Sequence, residues 1–208
     1  MEPTYATIAR SASAETEVKR SRFLAVVVRV EDDASARGVI IEARRRHRDA
    51  GHHCSAFVLG PTGAIQRTND DGEPAGTAGA PMLEMINGRG LSDVVTVVTR
   101  FFGGTLLGAG GLVRAYGDAA ALALDEAGVL QRAMHRLIDI TVPAADVGRL
   151  DNQLRSIVQV RDVSYGDLAT LSVAVPVVGL GDFHQKLAAF TGGTGVAIEL
   201  DDEWADCS

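Results

Sequence analysis

The stretch Val97-Val98-Thr99-Arg100-Phe101-Phe102-Gly103-Gly104-Thr105-Leu106-Leu107-Gly108-Ala109-Gly110-Gly111-Leu112-Val113-Arg114-Ala115-Tyr116 decides how the first half of this chain is read. It closes a nearly unbroken apolar run from Val94 to Phe102, the pattern of a strand covered on both faces. Gly103, Gly104, Gly108, Gly110 and Gly111 follow, and then a helix from about Gly111 to Ala127. Leu112, Tyr116, Ala120 and Leu124 lie on one stripe of that helix, and Gly128 stops it. Strand, glycine loop and helix are the parts of an anion cradle, in which backbone amides and a helix dipole face one point. No Gly-Lys-Ser/Thr follows, so the loop is not a Walker A motif. Val113 stands where G-x-G-x-x-G needs its third glycine. Arg100 and Arg114 flank the loop. They either fork onto a phosphate or pair with acids of a neighbouring loop.

Those acids lie just upstream, in Thr68-Asn69-Asp70-Asp71-Gly72-Glu73-Pro74-Ala75-Gly76-Thr77-Ala78-Gly79-Ala80-Pro81. The segment leads into a helix from about Thr77 to Asn87. Asp70, Asp71 and Glu73 are suited to holding a hard cation or to acid–base work, and equally to capping backbone donors in a tight loop. Further upstream, Phe23–Val30 and Ser55–Leu59 read as strands. Between them a helix from Ala34 to Ala50 carries Arg44, Arg45, Arg46 and Arg48 in its last turn, where cations suit the helix dipole. This is the densest positive patch in the chain: a solvated helix face, or a contact for an RNA backbone. His52, His53 and Cys54 precede a strand. No further ligands stand at zinc spacing, so neither a metal nor a cofactor is expected.

The 208 residues are 46% apolar and 23% charged, with a net charge of −7, which is an ordinary globular balance. So acidic a chain is not expected to coat nucleic acid or anionic membrane by bulk attraction; any such contact must be local. Eighteen arginines stand against two lysines, Lys19 and Lys186. Cys54 and Cys207 form no CxxC motif and read as free thiols in a reducing compartment. Met1-Glu2-Pro3-Thr4-Tyr5 shows no secretory pattern, and no apolar run approaches the ~20 residues that span a bilayer. The expectation is a cytoplasmic protein without membrane contact; the sequence assigns no oligomeric state.

After Gly128 the pattern changes. Ile138, Ile140 and Val142 alternate, and Val147, Leu150, Leu154 and Ile157 fall at helical spacing. Val158–Tyr165 and Ala169–Val175 flank a Gly166-Asp167 turn. Phe183, Leu187 and Phe190 mark a helix, and Val196–Leu200 a last strand. The order βαββαβ predicts a ferredoxin-like domain. Charge divides the same way: residues 1–131 hold 14 basic and 16 acidic groups, and residues 132–208 hold 6 and 11. We expect an α+β chain of two domains, 1–130 and 131–208.

The acid loop and the glycine loop, with Lys19, Ser21, Phe23, His52 and Cys54, closely resemble the signature of the YigZ/IMPACT family over about residues 15–128. The remainder is similar to the small C-terminal domain of its bacterial members. The resemblance implies an N-terminal domain like the second domain of ribosomal protein S5. It also implies a ferredoxin-like C-terminal domain like domain V of elongation factor G. Eukaryotic members regulate translation under amino-acid starvation by competing for the activator of a kinase that phosphorylates an initiation factor. Bacterial members look translation-associated or RNA-binding. Ala80 and Leu106 stand where the family often carries lysine, which removes two phosphate-facing charges from these loops.

The leading expectation is a non-catalytic, translation-associated regulator that binds RNA, the ribosome or a translation-regulatory protein. The sites expected to meet an anion or nucleic acid are Arg44, Arg45, Arg46, Arg48, Arg100, Gly103, Gly104, Gly108, Gly110, Gly111 and Arg114. His52, Asp70, Asp71, Glu73 and Thr77 complete the motif loops. The alternative is a metal-assisted hydrolase or phosphoryl-handling enzyme that uses the same two loops.

Overall fold

The computed structural model describes residues 3–207. Met1 and Glu2, the head of the segment read above for a leader, lie outside the described residues. The chain divides into two units, Tyr5–Gln131 and the remainder of the described chain. The elements of the first are β1 (Thr4–Ile8), β2 (Ala12–Val18), β3 (Ser21–Arg29), α1 (Asp33–Arg46), β4 (His52–Leu59), β5 (Ile65–Asn69), α2 (Gly79–Gly88), β6 (Val94–Phe101) and α3 (Ala109–Ala127). An antiparallel sheet runs in the order β2-β3-β6-β4-β5. The central strand β6 pairs with β3, Phe23 opposite Arg100, and with β4, Cys54 opposite Val98.

Helices cover both faces of this sheet, which is why β6 reads as one continuous apolar run. On one face α2 and α3 bury Phe23, Ala25, Cys54, Ala56 and Val98 against Met82, Ile86, Leu112 and Tyr116. On the other, α1 buries Phe57, Leu59, Val95 and Val97 with Ala36. Asp32 caps α1 by accepting from the Ser35 amide at 2.6 Å. The helix ends at Arg46, four residues before the Ala50 expected, because His47 leaves helical geometry as the C-cap. The helix expected from Thr77 begins at Gly79, for a reason given below, and the one expected from Gly111 begins at Ala109.

Strands β2 and β3 form a hairpin through a two-residue turn, Lys19-Arg20, with Val18 opposite Ser21. Both turn residues have positive φ, 48° and 68°. A turn of this twist normally takes Asn-Gly, since a Cβ disfavours the left-handed region by about 1–2 kcal/mol per residue.

In the second unit, β7 (Val129–Val142), α4 (Val147–Arg155), β8 (Gln159–Tyr165), β9 (Ala169–Pro176), α5 (Leu180–Thr191) and β10 (Val196–Asp206) follow the expected βαββαβ order. Ile140 of β7 pairs with Leu171 of β9 on one edge and Ala197 of β10 on the other. With β8 beyond β9, the strands lie in the order β10-β7-β9-β8, all antiparallel. Ile138, Ile140, Leu171 and Val173 bury one sheet face against Leu150, Leu154, Phe183 and Leu187. The chain as described is α+β, with antiparallel sheets and five α-helices. Among the described residues no helix is long and apolar enough to cross a membrane.

Candidate functional site

The acid loop is organised from within. Asp70 Oδ1 accepts the amides of Ala78 and Gly79 at 3.0 and 2.8 Å, and Oδ2 accepts that of Gly76 at 2.8 Å. This carboxylate thus caps α2 from across the loop and delays its start to Gly79. Burial raises the Asp70 pKa, but the three amides outweigh it and hold the carboxyl below its ordinary range. Gly79 has no room for a side chain: a Cβ there would stand 2.8 Å from Thr68 Cβ and 3.0 Å from the Asn69 nitrogen. Thr77 is buried and its hydroxyl donates to the Pro74 carbonyl at 2.6 Å.

Asp71 accepts from Arg44 of α1 and from the His53 amide, the latter at 2.6 Å. Its pKa also falls, because Arg44 and that amide outweigh the effect of burial. The His52 ring lies 2.8 Å from the Asp71 carbonyl through Nδ1, and its Nε2 is 3.9 Å from Glu73. The adjacent His53 is buried, and burial lowers its pKa.

Glu73 reaches deepest. Its Oε1 accepts from Arg100 Nη1 at 2.6 Å and from the Tyr116 hydroxyl at 2.7 Å. Glu73 and Arg100 are 8% and 5% exposed, so this ion pair is buried. The Arg100 guanidinium lies over the rings of Phe23 and Phe102, 5.6 Å from each centroid. Its Nε is buried without a hydrogen-bond partner among the described residues. Phe23 in turn meets Tyr116 edge-on at 5.2 Å. Cys54 is sealed beneath the loop and its thiol donates to the Asp70 carbonyl at 3.0 Å; burial pushes its pKa up to about 12. Burial raises the Tyr116 pKa as well, with Cys54 and Glu73 beside it.

The glycine loop is different. Gly103 is clamped: a Cβ there would lie 2.0 Å from the Arg20 carbonyl carbon and 2.3 Å from the Ser21 nitrogen. Its amide donates to Ser21 Oγ at 3.1 Å, and Arg20 Nη2 donates to Thr105 Oγ1 at 3.2 Å. Beyond this clamp the loop opens out. Gly104, Gly108 and Gly110 face open space, and Gly111 meets only Leu107. Phe102 and Leu106 are 56% and 82% exposed. Gly108 stands at the head of α3, whose first turn carries no acid and no side-chain cap.

The structure therefore gathers His52, Asp71, Glu73, Arg100 and Arg44 around one loop. Arg100, not Arg114, ties the acid loop to the glycine loop. Arg114 is exposed on α3 and makes no ion pair among the described residues. Arg44 is committed to Asp71, and Arg45 and Arg46 both to Glu42 at 2.7 and 3.2 Å. Of that cluster, Arg48 alone is exposed with no acid partner among the described residues. Sequence reading missed Tyr116 as the second donor to Glu73 and Arg20 as the wall behind Gly103. A tyrosine on a buried stripe needs a partner for its hydroxyl, which was a usable signal for the first. Among the described residues no group of three or more His, Cys, Asp and Glu side chains is arranged to hold a metal ion.

The motif that builds this site is recognised by comparison. The model of the Impact N-terminal domain matches residues 19–124. The chain belongs to the IMPACT family. It is 36% identical over 191 residues to the IMPACT family member YvyE of Bacillus subtilis (strain 168), covering 91% of this chain and 88% of that one. It is equally 36% identical over 190 residues to the IMPACT family member YigZ of Escherichia coli (strain K12), covering 86% and 89%. A crystal structure described as that of a hypothetical protein is similar over 97% of this chain and 98% of its own. The identity there is 31% and the TM-score 0.65.

Proposed function

We propose that this protein is a non-catalytic, translation-associated regulator that acts in the cytoplasm by binding RNA or the ribosome through the IMPACT-motif face of its first domain. Membership of the family supports a role in translation. One observation carries the binding mode. The three motif acids are bonded inward, to amides, arginines and a tyrosine, while Phe102 and Leu106 of the glycine loop and Lys19 and Arg20 of the β2–β3 turn face solvent. Groups held this way give shape and rigidity to a surface, and the three carboxylates are engaged within the fold. We take residues 1–130 as the IMPACT-type domain, like the second domain of ribosomal protein S5. Residues 131–208 are the ferredoxin-like domain, a reading supported by the strand order β10-β7-β9-β8.

The test is sedimentation of the purified protein with ribosomes and with structured RNA over a range of salt concentrations. Binding that weakens steadily as salt rises is the expected result. A protein that stays in the supernatant with both, at every salt concentration, overturns the reading.

A further inference from the structure

We propose that Phe102 is a stacking platform for an unpaired RNA base, with the Lys19-Arg20 turn holding an adjoining phosphate. This rests on the RNA-binding reading above and names the part of RNA that is read.

Phe102 is the only phenylalanine more than half exposed among the described residues; Phe23, Phe57 and Phe183 are buried. Its ring is held from behind. The Arg100 guanidinium lies over the rings of both Phe102 and Phe23, Glu73 pins Arg100, and Tyr116 pins Glu73. A ring fixed on a buried cation loses little freedom when a base stacks on its outer side. The next residue is also fixed, since Gly103 is clamped against the hairpin turn and bonded to Ser21.

That turn supplies the charge. Most arginines of this acidic chain are paired with an acid, eight of them among the described residues of the first unit: Arg22, Arg29, Arg37, Arg44, Arg45, Arg46, Arg89 and Arg100. Lys19 and Arg20 are exposed and form no ion pair among the described residues. Arg20 donates instead to Thr105, which leans it along the same loop that carries Phe102. Both cations occupy left-handed positions that Asn-Gly would fill with less strain. The sequence thus accepts local strain to present two charges on the turn that packs against Gly103, the residue after the exposed ring.

An aromatic face next to free cations fits a base and its phosphate. A-form duplex withholds its base faces, so the expected ligand is single-stranded, as in a loop or an end. The charge comes from the turn, so the site does not depend on lysine at Leu106 or Ala80.

The test is fluorescence anisotropy with a labelled single-stranded RNA oligonucleotide and the duplex of the same sequence, beside ribosome sedimentation. Phe102→Ala is expected to weaken single-strand binding about five- to hundred-fold, and Phe102→Trp to restore it. Lys19→Asn/Arg20→Gly keeps the backbone of the turn. It is expected to hold or raise the melting temperature while weakening binding and lowering the salt slope by about 0.7 for each phosphate that the turn no longer neutralises. Unchanged single-strand binding by Phe102→Ala, or preference for the duplex, overturns the proposal. If ribosomes are bound but the oligonucleotide is not, the base-stacking proposal fails and the regulator reading survives, with a protein partner at Phe102. If neither is bound, both fail.

Discussion

Two loops of one motif, about thirty residues apart, are built on opposite plans. In the acid loop every carboxylate is satisfied inside the fold, and the glycine that opens α2 is pressed against β5. In the glycine loop Gly103 is clamped, and Gly104, Gly108 and Gly110 after it face open space. Residues that look chemically active in the sequence turn out to brace, and a loop that looks like mere chain flexibility turns out to be the exposed part. Chemical type alone is a poor guide to role; what each group is already bonded to decides it.

This contrast can be broken by mutation, beginning with the buried pair. Glu73→Ala leaves Arg100 charged and unpaired at 5% exposure. A loss of about 3–5 kcal/mol is expected, read as the shift of the urea unfolding midpoint at unchanged slope. A loss below about 1 kcal/mol would mean that Glu73 is free for other work.

Adjacent glycines give the next comparison. Gly103→Ala must push the Arg20 carbonyl aside and is expected to cost about 3 kcal/mol. Gly104→Ala has open space and meets only the strain of φ +83°, about 1 kcal/mol. Equal losses in thermal melts of the two variants would remove the distinction between clamp and open loop.

The smallest effect concerns pH. The Asp70 and Asp71 pKa values are both lowered by the fold. Their contribution is therefore present above the unfolded carboxyl value, about 4, and is lost as pH falls through the lower folded values. Asp70→Asn keeps one acceptor oxygen and should cost about 1–2 kcal/mol at neutral pH. Its stability should also fall less steeply than that of the wild type between about pH 4 and 2, measured by melts across that range.

The sequence revealed most where one residue type repeats at one period. The Val-rich run of β6, the helical stripe of α3 and the βαββαβ order of the second unit were all legible, because burial itself sets those patterns. Strand β5, Ile65–Asn69, was not; all five residues are exposed, and only pairing with β4 makes it a strand. Strand β2 reads Ala-Ser-Ala-Glu-Thr-Glu-Val, too small and polar to signal a sheet edge. In the site, the sequence left open whether Arg100 and Arg114 meet an anion or pair with the acids; Arg100 pairs with Glu73 and Arg114 with no acid among the described residues. The Arg44–Asp71 pair joins residues 27 positions apart and rests on where α1 crosses the sheet, which no local pattern encodes. The Lys19-Arg20 turn was invisible for a related reason, since its residues are the reverse of what such a turn usually takes.

Cys54 makes the fold its own reporter. The thiol is fully buried, bonded to the Asp70 carbonyl, and far from ionised at neutral pH. An alkylating reagent can reach it only after the acid loop lifts, so its labelling rate measures how often that loop opens. Read at the peptide that carries Cys54, and so apart from the more exposed thiol of Cys207, that clock runs in the unmodified protein, and slowing on addition of RNA would show that an occupied glycine loop steadies the acid loop.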